Sequence, residues 1–249
     1  MKKYGLIGYP LTHSFSKRFF TEKFEREQIP STYENFEIDT VQSFPKVIKN
    51  DPDLTGLNIT IPYKEQVIPF LDELNDAARE IGAVNTVKII RSSAGIFLKG
   101  YNTDTYGFEK SLKPLLKPMH TKALILGTGG ASKALKYVLK KLSIDFISAS
   151  IEELKENEIR YEDIDGKTMK ERLLIINATP LGTYPKIETF PPIPYEFIGK
   201  NHLLFDLVYN PEVTQFMHKG LQQGATVKNG YEMLLNQALK SYEIWNNLD

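Results

Sequence analysis

Two rhythms of apolar residues alternate along the chain. Short runs that are continuously apolar, or apolar at every second position, lie at 4–8, 33–38, 57–61, 83–90 and 96–101, and predict strands. Segments with apolar residues three or four apart lie between them at 16–27, 41–49 and 73–81, and predict helices. Phe19, Phe20 and Phe24 share one face of the first helix, with Ser16 placed to cap it, and Gly82 closes the third. In the third strand Leu57, Ile59 and Ile61 alternate with Asn58 and Thr60, Pro62 follows, and Lys64 stands just beyond. The segments 83–90 and 96–101 form a strand pair around Ser92-Ser93-Ala94-Gly95.

The alternation continues past residue 104. A helix is expected at 105–116, then a strand, a glycine-rich turn and an amphipathic helix over 122–142. Further strands are expected at 145–149, 173–178, 203–208 and 225–228, and a closing helix at 231–246 with Met233, Leu234, Ala238 and Trp245 as its apolar positions. Residues 180–194 hold five prolines and exclude regular structure. Strand–helix alternation throughout predicts an α/β protein with largely parallel sheets. The division into two lobes falls near 102–104, and periodicity alone does not decide which lobe the closing helix packs on.

Composition narrows the function classes. Lys plus Arg equals Asp plus Glu, at 31 each, and no basic stripe marks a nucleic-acid binder. No apolar run approaches the roughly 18 residues of a membrane span. The first residues, MKKYGLIGYPLTHS, lack the apolar core of about 7–15 residues that a signal peptide needs. Cysteine is absent, which excludes disulfides, thiolate zinc sites and a thiol nucleophile. A cytoplasmic protein is expected. Asn58-Ile59-Thr60 and Asn177-Ala178-Thr179 match the N-glycosylation pattern, which has meaning only in a secreted chain, so these polar residues need another explanation. The four histidines, at 13, 120, 202 and 218, show no ligand spacing, and no metal is expected.

Gly127-Thr128-Gly129-Gly130-Ala131-Ser132 follows a strand and opens a helix, the context of a dinucleotide-binding turn. Gly127 permits the tight turn, Gly129 the close approach of a pyrophosphate, and the helix N-terminus offers N–H groups and its dipole. An Asp or Glu at the end of the second strand would mark NAD, and a nearby Arg NADP. The residues there are Ser148-Ala149-Ser150, which give neither signal. The missing acid removes a repulsive charge from a 2′-phosphate and tilts the expectation to NADP, with NAD open; Ser148, Ser150 and Lys133 are the candidate contacts.

Other polar residues cluster at predicted strand ends and turns: Ser14 and Ser16, Lys64, Asn85, Asn102 and Asp104. Singly each has a plain explanation. Ser16 and Asp104 can cap helices, the asparagines can fix turns, and Lys64 can be a surface lysine. Together GYPLTHSFS, NITIPYK, GAVNT, GYNTDTYG, GTGGAS, NATPLG, DLVYNPEVT and NGYEMLLNQA resemble the shikimate dehydrogenase family, in that family's order, from residue 8 to residue 238.

The resemblance implies two lobes with a cleft between them: an N-terminal α/β substrate-binding domain, 1–103, joined by the C-terminal helix 231–249, and a Rossmann-type dinucleotide-binding domain, 104–230. It implies Lys64 and Asp104 as the catalytic pair, and Ser14 and Ser16 as holders of the substrate carboxylate. Asn58, Thr60, Asn85 and Gln237 would bind ring hydroxyls, with Tyr209 beside them. Gly127, Gly129, Gly130 and Ala131, with Ser132 next in the turn, would line the pyrophosphate; Asn177, Thr179 and Leu181 would run along the cofactor, and Gly230 would lie near the nicotinamide. The implied reaction is the reversible NADPH-dependent reduction of 3-dehydroshikimate to shikimate, in chorismate and aromatic amino acid biosynthesis. The partners implied are this small substrate and the cofactor, with no nucleic acid and no membrane, in a monomer or homodimer. Three departures stand out, the first being Ser16-Lys17 where the family commonly has Ser-Pro. The family's Asn-Arg-Thr after the second Rossmann strand is Ser148-Ala149-Ser150 here, and its Met after Leu-Gly is Thr183. The rival assignments are a quinate/shikimate dehydrogenase using NAD or both cofactors, and a non-catalytic dinucleotide sensor.

Overall fold

Residues 1–11 and 15–247 are described by the computed structural model, and they divide into two units, Met1–Thr103 with Ala238–Asp249, and Asp104–Gln237. The first unit is built on six strands: β1 (Lys2–Gly8), β2 (Ser31–Glu37), β3 (Leu54–Ile59), β4 (Glu73–Leu74), β5 (Thr86–Ser92) and β6 (Gly95–Tyr101). Their order across the sheet is β2-β1-β3-β5-β6-β4. β1 pairs in parallel with β2 and β3, but β5 runs antiparallel to both β3 and β6. The sheet is therefore mixed where a largely parallel one is expected. The cause is local: Ser92 pairs with Gly95 across a two-residue turn, too short for the crossover that a parallel connection needs.

Three helices belong to this unit: α1 (Phe15–Arg26), α2 (Phe44–Asn50) and α3 (Asp76–Ile81). The helix expected at 73–81 begins only at Asp76, because the Asn75 side chain accepts from the Ala78 N–H at 3.0 Å and caps it there. On one face of the sheet Ile7, Leu57, Ile59, Val84 and Val87 pack with Phe44 and Ile48 of α2. The other face carries aromatic residues: Tyr4, Phe20, Phe24 and Tyr33 surround Trp245. Trp245 stacks on Tyr4 with centroids 4.8 Å apart, and its indole donates to the Val87 carbonyl at 3.0 Å.

The second unit holds β7 (Lys122–Leu126), β8 (Asp145–Ser150), β9 (Glu158–Arg160), β10 (Leu174–Asn177), β11 (Leu203–Asp206) and β12 (Thr226–Lys228). All pairings are parallel, in the order β12-β11-β10-β7-β8-β9. Counted from β7, this is the doubly wound dinucleotide-binding order, with its switch point between β7 and β10. Phe108 and Leu112 of α4 (Asp104–Leu112) and Leu135, Val138 and Leu139 of α5 (Gly130–Lys141) cover one face. Met169 of α6 (Gly166–Glu171) and Phe216 and Met217 of α7 (Gln215–Gln222) cover the other. α6, α7 and β9 are elements that the apolar rhythm does not announce. Residues 180–194 contain no helix or strand.

α8 (Tyr231–Asn246) starts in the second unit and ends in the first, with Ala238 the first of its residues that belongs to the first unit. Met233 packs with Phe108, whereas Ala238 and Trp245 join the aromatic cluster. Asn58 and Asn177, the two sequon asparagines, are both buried. Among the described residues no helix is long and apolar enough to cross a membrane.

Candidate functional site

In the second unit β7 runs into Gly127, whose φ of +99° is left-handed and whose Cβ, if present, would lie 2.9 Å from the Thr179 methyl. Both facts require glycine there. Positions 129 and 130 face open space, and α5 begins at Gly130; the Ser132 N–H donates to the Gly129 carbonyl at 2.9 Å, while those of Gly130 and Ala131 have no preceding helical turn to bond. These features sit at the C-terminal ends of the strands at the switch point, where doubly wound sheets bind ligands. A cavity of about 520 Å³ opens there. Gly127, Thr128 and Gly129 line it, with Ile151, Glu152 and Tyr161 from beyond β8 and Thr179 and Leu181 from beyond β10.

The loop beyond β10 is shaped from beneath. The Asn177 side-chain oxygen accepts from the Thr179 N–H at 3.0 Å and from its hydroxyl at 2.6 Å. The Leu181 N–H then donates to the Thr179 hydroxyl at 3.2 Å. The Asn177 amide donates to buried Asp206 at 2.9 Å. Asp206 also accepts from the Val208 N–H at 3.0 Å and the Thr214 hydroxyl at 2.5 Å. Burial pushes the Asp206 carboxyl up to about 6, against the pull of these three hydrogen bonds.

Four of the expected cofactor contacts are buried: Ser148 and Asn177 are 0% exposed, Ser132 is 1% and Ser150 is 2%. The Ser132 hydroxyl turns back to the Gly129 carbonyl at 2.7 Å and closes the first turn of α5. The Ser148 hydroxyl faces the interior with no hydrogen-bond partner among the described residues. The Ser150 hydroxyl accepts from the Glu152 N–H at 3.1 Å and lies 3.4 Å from that of Thr128, which fixes the turn after β8. Ala131, by contrast, is exposed at the start of α5. Gly230 is buried, and a Cβ there would lie 2.1 Å from the Leu207 carbonyl oxygen, so it is the residue that lets two backbones pass.

In the first unit the segments NITIPYK and GAVNT are locked together. The Ile59 N–H donates to the Asn85 carbonyl at 2.9 Å, and the Val84 N–H donates to the Lys64 carbonyl at 2.7 Å. Lys64 and Thr60 are half-buried, and the Thr60 N–H donates to Ile7 of β1 at 2.9 Å. Around this lock lies a buried polar network. The Asn58 amide nitrogen donates to the Asn85 carbonyl at 3.2 Å and to the Ser241 hydroxyl at 3.0 Å. The Asn85 side-chain oxygen accepts from the Thr103 N–H at 2.7 Å. The hydroxyls of Thr86, Thr103 and Ser241 form a triangle with sides of 2.7 Å, 3.1 Å and 3.1 Å. The Tyr33 hydroxyl donates to the Asn58 side-chain oxygen at 2.8 Å and also bonds Ser16. Complete burial pushes the Tyr33 phenol far up, so it stays a neutral donor.

Ser16, Asn58 and Asn85 are thus connected, through Tyr33, Thr86, Thr103 and Ser241, which the sequence reading does not single out. Thr103 sits inside GYNTD, and Ser241 is a polar residue three places beyond Ala238 on a buried helix face, the one signal available for it. Asn102 donates to the Ala83 carbonyl at 3.0 Å, the turn-fixing role open to it. Asp104 opens α4, Gln237 is buried with its amide on the Leu234 carbonyl at 2.9 Å, and Tyr209 is exposed. Ser14 lies outside the described residues.

Comparison with known proteins agrees with both units. Residues 6–87 match the family described as the shikimate dehydrogenase substrate binding domain. The chain is 36% identical over 260 residues to the shikimate dehydrogenase (NADP(+)) of Methanosphaera stadtmanae, spanning 97% of this chain and 90% of that protein. The crystal structure of a chorismate mutase/shikimate 5-dehydrogenase fusion protein from Clostridium acetobutylicum superposes with a TM-score of 0.85 at 34% identity, covering 100% of this chain and 92% of that one. Shikimate 5-dehydrogenase from Listeria monocytogenes, solved in complex with shikimate and NAD, gives a TM-score of 0.87 at 25% identity, covering 100% and 93%.

Proposed function

Because the chain belongs to the shikimate dehydrogenase family, we propose that it interconverts 3-dehydroshikimate and shikimate with Lys64 and Asp104 as the proton-transfer pair. It is an NADP-dependent oxidoreductase acting on a CH–OH group. The second unit fits that cofactor: open space before Gly129 and Gly130, the N-terminus of α5 and the cavity beside them suit a pyrophosphate and its adenosine arm. Gly127, Gly129, Gly130 and Ala131 would hold it, with Thr179 and Leu181 alongside and Gly230 near its nicotinamide.

The cofactor supplies a hydride to the ketone carbon when it is bound. The C=O π pair moves onto oxygen, and the Lys64 ammonium gives that oxygen a proton, leaving a neutral amine that solvent recharges. Asp104, the other member of the pair, would offset the ammonium charge. In the oxidative direction the same pair receives the hydroxyl proton. Ser14 and Ser16 would hold the substrate carboxylate, and Asn58, Thr60, Asn85, Tyr209 and Gln237 its hydroxyls, with the first unit as the main substrate domain.

The observation that carries this reading is the lock between Lys64 and Val84. It ties the segment bearing Thr60 and Lys64 to the one bearing Asn85, on a frame of buried hydrogen bonds that makes the polar groups rigid before substrate arrives. The test is the initial rate of cofactor reduction by purified protein with shikimate or quinate, each with NADP and with NAD. Turnover with shikimate and NADP is expected. Preference for quinate and NAD would move the chain to the rival dehydrogenase, and no turnover with any pair would leave a sensor.

A further inference from the structure

NADP differs from NAD by a 2′-phosphate, and residues 148–152, which end β8 and open the following turn, offer that group no cation; Lys155 stands further along the same loop. Ser148 and Ser150 are buried, and the next charged residue, Glu152, is a carboxylate that lines the cavity. A carboxylate there repels a phosphate and suits a free 2′-hydroxyl. The sheet supplies a cation from the neighbouring strand. β9 pairs in parallel with β8, and Arg160 stands opposite Ser150. One guanidinium nitrogen of Arg160 donates to the Glu152 carbonyl at 3.0 Å and approaches the Ile151 carbonyl at 3.5 Å. Both residues line the cavity, and so does Tyr161, which follows Arg160 in sequence.

We propose that Arg160 is the residue that selects the 2′-phosphate, reaching from β9 to do the work of the arginine missing after β8. This deepens the NADP assignment above and rests on it. Arg160 uses one nitrogen to hold the turn, and the remaining donors of its planar fork are left to meet a phosphate at the rim. Glu158, the other charged residue of β9, is engaged by Lys136 of α5 at 3.6 Å. Among the described residues Arg160 itself has no carboxylate partner, so its charge is not already neutralised. Glu152 and Arg160 then act in opposition on one ribose: the carboxylate tolerates NAD, and the guanidinium draws NADP.

The test is calorimetric binding of adenosine 2′,5′-bisphosphate and of adenosine 5′-monophosphate to the whole chain and its variants. The unaltered protein should bind the bisphosphate more tightly. Arg160→Gln should weaken the bisphosphate roughly 10- to 100-fold while leaving the monophosphate unchanged, as expected for a lost charge-assisted contact. Arg160→Lys should retain part of the preference, and Glu152→Gln should strengthen it. Melting temperatures of the variants establish that they are folded. An Arg160→Gln protein that keeps the full preference overturns the role of Arg160 while leaving the NADP assignment intact. An unaltered protein with no preference overturns both.

Discussion

The amide of Asn177 and the carboxylate of Asp206 meet 2.9 Å apart with both residues fully buried, and the loop beyond β10 that lines the cavity hangs from this pair. Asp206→Ala would leave the Asn177 amide, the Thr214 hydroxyl and the Val208 N–H without their acceptor. Each orphaned group costs about 1–3 kcal/mol, so a loss of about 3 kcal/mol or more is expected in denaturant unfolding. The pH dependence has a definite sign. Burial raises the folded carboxyl to about 6 from the 3.8 of an ordinary aspartate, so the folded state holds the proton more tightly. Its stabilising contribution is present below the unfolded value and is lost as pH rises through about 6. Unfolding free energies of the unaltered chain minus those of Asp206→Asn should therefore fall between pH 4 and 7; a flat difference would contradict the assignment.

His120 carries the opposite dependence. Its Nδ1 accepts from the Lys117 N–H at 3.0 Å, and its Nε2 faces the Asn201 carbonyl at 3.0 Å, which fixes the neutral ring with its proton on Nε2. Burial lowers its pKa from the usual 6.5, more than the hydrogen bond to Asn201 restores. The stability it contributes is complete above 6.5 and is lost as pH falls through the lowered folded value. Comparing melts at pH 5.5 and 7.5, the unaltered chain should lose more on acidification than His120→Gln does. Equal losses would show that the ring titrates as it does in the unfolded chain.

Trp245 is the only tryptophan of the chain, and it anchors the end of α8 in the aromatic cluster. A Cβ at Gly56 would lie 2.3 Å from the indole. Trp245→Ala should cost about 3–5 kcal/mol, and Gly56→Ala should also destabilise, because the ring has no space to retreat into. Tryptophan emission should be blue-shifted in the folded chain and move to the red on unfolding. Emission at the wavelength of solvated indole in the native protein would contradict the packing described.

The parts of this site that were legible in the sequence are those set by neighbours along the chain. Gly127 announces itself because a strand, a left-handed glycine and a helix start fall within a few residues, and NITIPYK stands out because polar residues interrupt an apolar alternation. The burial of Ser148 and Ser150 was not legible, because a hydroxyl near a strand end looks the same in sequence whether its face meets solvent or a packed layer. Arg160 was invisible for a related reason: its importance lies in the register of β9 against β8, which no local pattern encodes. The mixed first sheet escaped the reading because alternation of elements does not report strand direction, although the short turn between β5 and β6 carried that information. α7 is fixed largely by Thr214, whose hydroxyl caps the helix by accepting from the Met217 N–H at 3.3 Å while serving Asp206.

The central claim, that Lys64 delivers the proton, is tested most directly by steady-state kinetics of Lys64→Ala with shikimate and NADP, beside the unaltered protein and Asp104→Asn. A positioned proton donor contributes about 10²–10⁴ in rate. The account predicts that kcat of Lys64→Ala falls by that factor with a smaller change in KM, and that Asp104→Asn also loses kcat without loss of melting temperature. A Lys64→Ala enzyme with unchanged kcat would contradict it.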